Sequence, residues 1–451
     1  MHPPVHPPVP PSAHPSSAPP GMIELATEHR FAGDWPGAFE AAYVTVAPTV
    51  DDLHRHYGSR FAKTVEAELR HMIPDLLRWH LPRHPDTGVL VPDMCYPLTL
   101  LRDDYVLFAR TPMAHQPQRV TLGIDALDRL ARPRTDLRLF QLRDRWDARR
   151  TGELLTRCGG PGFLASRPLL LDESGRHAEA WAAAGFDLRV LLFDERWGRA
   201  RTDPAAWTDP SRRARAVDQS LAWLRPAFAF LPEATRRAAD ATGLVRIDLR
   251  GRRLVLEAGG PRAWLLNGAP AARAETEEFG VELSRVPSMP LAHARRPPEL
   301  TALLRGELGP GDLHPVTFET LFPGLPAPHP SPPVRLPTDI RVRCGTATHT
   351  VQMREGRIVI PHTDEEVRRE RALIALGGAR IGCLAAQDGW RDSTIRMPRA
   401  MRRLRDEVML LAQRGDVWAL RAAVESGLDR HARDAQGRTL RDRLAWTGTS
   451  I

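Results

Sequence analysis

Few side chains in this sequence stand at spacings that could do chemistry. "HRH" at His54, Arg55 and His56 and "HLPRH" from His80 to His84 space two imidazoles as metal sites do. Neither brings a cysteine or carboxylate at a ligand spacing, so both read as exposed or helix-end histidines. "RCGGPGFLAS", residues 157–166, sets Cys158 beside a glycine-rich turn, the ingredients of a thiol nucleophile or an anion nest. With no lysine beside it and no neighbouring general base, it reads instead as a loop into a buried strand. Asp194 and Glu195 follow an apolar run in "LLFDERWGR", where open α/β sheets place catalytic groups, and a strand-end turn explains them equally.

Motifs with fixed mechanics are missing from the sequence. It contains no G-x-x-x-x-G-K-[ST] phosphate cradle, no G-x-S-x-G nucleophile elbow, no H-E-x-x-H helix and no G-x-G-x-x-G dinucleotide turn. The four cysteines, Cys95, Cys158, Cys344 and Cys383, form no C-x-x-C and read as reduced core thiols of a cytoplasmic protein. The residues therefore assign no catalytic group, no cofactor and no metal ligand, and a non-enzymatic role is the expectation. The alternative is an enzyme with a site in residues 90–330, whose pocket would gather several of His71, His80, Cys158, Asp194 and Glu195.

The elements that must position these groups belong to a chain of 451 residues, enough for two or three domains with their own cores. A net charge of +8 raises nucleic-acid binding as an option. Lys63 is the sole lysine, however, and the arginines alternate with acids in stretches such as "EEVRRERALIAL" and "MRRLRDEVML". Interleaved charges make local pairs rather than one field, so solvated helix faces are expected and nucleic acid is not. Apolar runs of about five residues exclude a membrane helix, which needs about 20.

The expected fold class is α+β in several segments. Residues 1–21 form a Pro/His-rich tail expected to be disordered, with Met22 an alternative start. Residues 22–321 are a mixed helical and α/β main domain. Its opening reads as two short helices joined at Gly33-Asp34, then a long helical stretch divided at Pro74. "YVLFAR", "QRVTLGI", "LRLFQL", "GFLAS" and "FDLRVLLF" are expected strands, and "AEAWAAAG" and "QSLAWLRPAFAFL" expected helices. "LVRIDLRGRRLVLEA" alternates as a hairpin with one buried face, turning at Gly251. Residues 322–337 are a Pro-rich linker, and 338–398 a β-meander plus helices, with a capping box at Thr363 and Glu366.

Residues 399–451 carry the one architectural signature. Gly415, Asp416, Gly427 and Asp429 stand at helix boundaries, and Asp434, Gly437 and Thr439 at a D-x-x-G-x-T turn. Asp406 precedes Thr439 by 33 residues, a period that belongs to ankyrin arrays. The stretch resembles an ankyrin repeat over about 45 residues, with Leu440-Arg441-Asp442 replacing the family's Pro-Leu-His. With "RFAGDW" near the start and "ERALIALGG" before the repeat, the chain is similar to an actinobacterial family that ends in such a repeat and has no assigned activity. The resemblance implies an interaction or scaffold role with an unidentified protein partner. About three repeats are needed to bury a core, so this end is expected to lean on the helices before it.

Overall fold

A computed structural model describes residues 18–445 apart from 85–86, 103, 115, 117, 131–133, 194–199, 202–220, 223, 250–251, 268–278 and 327–335. The fold is mixed α+β, with three separate sheets among the described residues. Asp194, Glu195, Gly251, the N-terminal tail through residue 17 and most of the Pro-rich linker lie outside the described residues.

The first core begins with α1 (Pro20–Phe31) and α2 (Trp35–Ala41), joined at Gly33-Asp34 as the sequence predicts. Asp34 caps α2 by accepting from the Gly37 amide at 3.0 Å. After β1 (Val44–Val46), α3 (Val50–Tyr57) and α4 (Ser59–Arg70) are parted by Gly58. Pro74 opens α5 (Pro74–His80), because a ring without an N–H is harmless in a first turn. β2 (Cys95–Leu100), β3 (Tyr105–Arg110) and β4 (Val120–Ala126) complete a sheet of order β1-β4-β3-β2, with β1 parallel to β4. β2 escaped the sequence reading because Pro97 interrupts it, and the strand accommodates that proline at a register shift between Pro97 and Thr99. Trp146, Tyr96, Leu53 and Leu69 fill the space between sheet and helices.

The second core follows α6 (Leu127–Leu130) and holds α7 (Glu153–Cys158), α8 (Arg167–Glu173), α9 (His177–Ala183) and a five-stranded sheet. Its strands are β5 (Asp187–Phe193), β6 (Ala200–Arg201), β7 (Leu244–Leu249), β8 (Arg252–Glu257) and β9 (Arg262–Asn267), in the order β6-β5-β9-β8-β7. Between β6 and β7 lies α10 (Leu231–Ala238), and α11 (Leu291–Ala294), α12 (Pro298–Leu304) and α13 (Pro315–Leu321) follow the sheet.

Four expectations need correction here. "LRLFQL" and "GFLAS" are 3-10 turns, at Leu137–Leu139 and Phe163–Ala165. Asp136 caps the first through the Arg138 amide at 2.9 Å, and Gly162, at φ 78°, and Pro168 fence in the second. Residues 219, 220 and 223 of "QSLAWLRPAFAFL" lie outside the described residues; past them Arg225, before Pro226, takes φ 48°, and Leu231 opens the next helix. The expected β7–β8 hairpin forms, with Leu249 opposite Arg252, but in place of the expected single buried face both faces of β8 are covered. Val255 packs with Trp264, Leu283 and Val286 on the side opposite Leu254 and Leu256.

The third core is C-terminal. β10 (Asp339–Cys344), β11 (Ala347–Arg354) and β12 (Arg357–Val359) form the expected antiparallel meander. α14 (Asp364–Ala375) starts at the expected capping box, the Thr363 amide donating to Glu366 at 2.8 Å and the Glu366 amide to the Thr363 hydroxyl at 3.2 Å. α15 (Gly382–Arg391), α16 (Arg399–Arg414), α17 (Val417–Glu425) and α18 (Leu440–Ala445) follow. Ile340, Val342 and Val351 of the meander share one core with Trp390, Met401, Leu404 and Leu420, so the meander and the terminal helices are packed as one body. It docks on the first core where the Tyr43 hydroxyl donates to the Gly415 carbonyl at 3.2 Å and Trp418 joins both cores. Among the described residues no helix is long and apolar enough to cross a membrane.

Candidate metal centre

Hairpin pairing dictates where the first two candidate ligands fall. Cys344 ends β10 opposite Ala347, and Val342 lies opposite His349, so Cys344, Val342 and His349 project from the same face as the buried Ile340 and Val351. The third, His362, stands immediately before the Thr363 cap, whose two reciprocal bonds hold the local backbone. The fourth, Cys383, is the second residue of α15. A glycine is required before it: Gly382 has φ 61°, and a Cβ there would lie 2.5 Å from Cys344 Sγ and 2.9 Å from its Cα.

One ligand atom from each of Cys344, His349, His362 and Cys383 lies within 4.8 Å of all the others. His349 Nδ1 is 3.1 Å from His362 Nε2, Cys383 Sγ is 3.5 Å from His349 Nδ1, and Cys344 Sγ is 3.7 Å from His362 Nε2. A tetrahedral zinc ion with Zn–S of about 2.3 Å and Zn–N of about 2.05 Å would separate its ligands by about 3.3 Å (N to N), 3.6 Å (N to S) and 3.8 Å (S to S). The observed spacings follow that pattern. Cys383 is buried and the other three are half-buried, so an ion held here would be shielded on most sides. Burial and the neighbouring Cys344 thiol push the Cys383 thiol up to about 12. A bound dication reverses that balance, since a coordinating thiol is deprotonated outright.

The histidine pairs singled out in the sequence do not assemble. His54 Nδ1 lies 3.4 Å from the Ser59 hydroxyl, His56 is exposed, and His71 Nδ1 donates to the Ala67 carbonyl at 2.7 Å. His80 and Cys158 do converge, around a buried ion cluster. Glu299 of α12 accepts from Arg145 at 2.9 Å, His80 Nδ1 lies 3.0 Å from the same carboxylate, and Arg157 donates to Asp144 at 2.7 Å. Burial and the Arg145 charge push His80 down to about 4, and Glu299 stays ionised because Arg145 and His80 outweigh its burial. Burial and the Glu299 charge push the Cys158 thiol up to about 12, the opposite of what a thiolate nucleophile needs. This cluster ties the first core to the second. A second buried pair does the same: His314, the N-cap of α13, accepts from the Val316 amide through Nδ1, leaving Nε2 to donate to Asp75 at 3.0 Å. Cys158 itself ends a helix rather than opening a strand, a correction to the expected loop.

Of the repeat positions, Gly415 (φ 78°) and Gly427 (φ 103°) end α16 and α17 in the left-handed region. Asp416 caps α17 through the Ala419 amide at 3.0 Å. Asp429 is buried, accepts from Arg391 at 2.7 Å, and its carbonyl takes the Trp390 indole N–H at 2.9 Å. Asp434 accepts from the Gln436 and Arg438 amides, Gly437 turns at φ 78°, and Thr439 forms a capping box with Asp442. Asp406 lies inside α16, where it pairs with Arg405 instead of capping. Leu440 is buried and Arg441 exposed, so the leucine one residue earlier meets the core.

The sequence reading treated Cys344 and Cys383 as separate thiols and did not name His349 or His362. A search for C-x-x-C cannot find a set contributed by two strands, a cap and a helix start. The available signal was a cysteine and a histidine on one face of a tight hairpin, Cys344-x4-His349, with His362 and Cys383 at the starts of the next two helices. Compared with known protein families, curated proteins and solved structures, the chain matches none.

Proposed function

We propose that this chain is a non-catalytic protein-interaction or scaffold protein of the cytoplasm, and that a structural zinc centre holds together its ankyrin-like C-terminal unit. The observation that carries the reading is the convergence of two thiols and two imidazoles within 4.8 Å. Two sulfur and two nitrogen donors at tetrahedral spacing favour zinc over the harder magnesium or calcium. Four protein ligands close the coordination sphere and leave no position for an activated water, which makes the role architectural. The ligands come from β10, β11, the start of α14 and the start of α15, so one ion fastens the meander to the helix that supports α16. Cysteines left free of disulfides are usual where thiols are kept reduced, in keeping with a cytoplasmic location.

The direct test is metal content and stability of the whole chain. One zinc per chain by native mass spectrometry, and destabilisation by a chelator, are expected; zinc absent from protein prepared in its presence would sink the reading. For the interaction role, deleting residues 399–451 would strip the meander of its core partners, so the better variant is Cys344→Ser with Cys383→Ser. Affinity purification from the native host should then lose specific proteins. An unchanged set with zinc gone would count against an interaction role for this unit.

A further inference from the structure

The two histidines of the centre use different nitrogens. His349 turns Nδ1 inward, whereas His362 turns Nε2 inward, which leaves His362 Nδ1 facing outward. The carboxylate of Glu370 lies 3.6 Å from that Nδ1. Glu370 sits two turns along α14 from His362, and its side chain is only 36% exposed.

α14 has little else to hold it. None of its residues is buried; Val367, Glu370 and Ile374 are half-covered on one side, and Leu373 and Leu376, at and just past its end, are 55% and 85% exposed. A helix of 12 residues without a buried face is marginal in water. Its anchors are the capping box at Thr363 and the approach of Glu370 to His362.

We propose that Glu370 is a positioning residue of the metal centre: it fixes the tautomer and ring orientation of His362, and through it metal occupancy sets the order of α14. This rests on the zinc reading above. Metal at Nε2 withdraws charge from the imidazole and strengthens Nδ1–H as a donor, and a carboxylate is the acceptor that metal-bound histidines commonly use. With metal bound, the ring is held at both nitrogens and the helix is tied to the meander. Without it, Nδ1–H is a weaker donor and Nε2 is no longer held by an ion, so the approach of Glu370 holds the ring less firmly and α14 leans mainly on its cap. Metal loading thereby decides whether Leu373 and Leu376 are displayed on a formed helix.

The test uses the full chain, zinc competition against a chromogenic chelator, and hydrogen exchange of residues 363–376. Glu370→Ala should weaken zinc binding by about ten- to hundredfold. Glu370→Gln should weaken it less, because an amide oxygen there can take the same Nδ1–H without the charge. Glu366→Ala, which removes one of the two cap bonds, should loosen α14 but weaken zinc binding less than Glu370→Ala does, separating positioning from helix stability. In the parent protein, zinc removal should lower α14 protection. Zinc affinity of Glu370→Ala equal to that of the parent, or α14 exchange indifferent to zinc, would overturn the inference while leaving the metal reading standing. A parent protein that binds no zinc would overturn both.

Discussion

Replacing Cys383 by alanine tests the metal centre through its energetics. Structural zinc sites bind with about 10–16 kcal/mol. At about 12 kcal/mol the dissociation constant is about 1 nM. Free zinc at about 1 µM then contributes about 4 kcal/mol to the folded state. Cys383 supplies one of four donors, and since changes beyond the ligands alone cost about 10–100-fold, its loss should weaken binding by at least about 100-fold. The same zinc would then contribute no more than about 1.4 kcal/mol, so the zinc-dependent part of stability falls by about 2.7 kcal/mol. Alanine also removes buried sulfur packing, but that loss is the same with and without zinc and cancels in the difference. The assay is urea titration read by hydrogen exchange of residues 339–359 and 399–425, with zinc buffered or chelated. These segments share one core, so both should respond together. Equal stabilisation of Cys383→Ala and the parent by zinc would refute the reasoning.

Other consequences follow from the same contacts. Gly382→Ala would set a Cβ 2.5 Å from Cys344 Sγ at a backbone φ of 61°, so chelator competition should show weakened zinc binding, and an unchanged affinity would mean that Cys344 is not held where the structure places it. Glu299→Gln leaves Arg145 and Arg157 facing Asp144 alone in a buried cluster and should cost about 3–5 kcal/mol in urea unfolding; a loss under about 1 kcal/mol would mean the charges are solvated. His80 is held neutral down to about 4, whereas an unfolded histidine takes a proton near its ordinary value of 6.5. The unfolded chain therefore binds the extra proton, and stability should fall as pH drops from about 6.5 to 4, by up to about 3 kcal/mol from this group. The depressed Glu299 acts in the same direction at lower pH. A urea midpoint independent of pH across that window would show that folded His80 is already protonated.

Much of the local structure was legible because its causes are local. The Thr363–Glu366 capping box, the Gly33-Asp34 junction, the three strands of the meander and the helix-ending Gly415 and Gly427 each depend on residues within a few positions of one another. The failures share the opposite feature. "LRLFQL" has strand composition but no partner strand, and "AWLRPAFAF" has helical composition broken by the residue before Pro226. The unforeseen burial of Val255 depends on residues 283 and 286, which no alternation within the hairpin can signal.

By itself the sequence determined the fold class, a chain without an apolar stretch long enough for a membrane helix, and the glycine and aspartate turns of the C-terminal helices. Those features follow from periodicity, capping and backbone conformation, which act over a turn or two of chain. Tertiary structure alone decided that His80 and Cys158 sit in a sealed ion cluster with pKa values displaced away from catalysis. It also decided that Cys344, His349, His362 and Cys383, spread over 40 residues, meet at metal-ligand distances. Strand register put two of them on one face, a cap fixed the third, and a glycine let the fourth approach; only the packing of all three elements on one core brings the four atoms together.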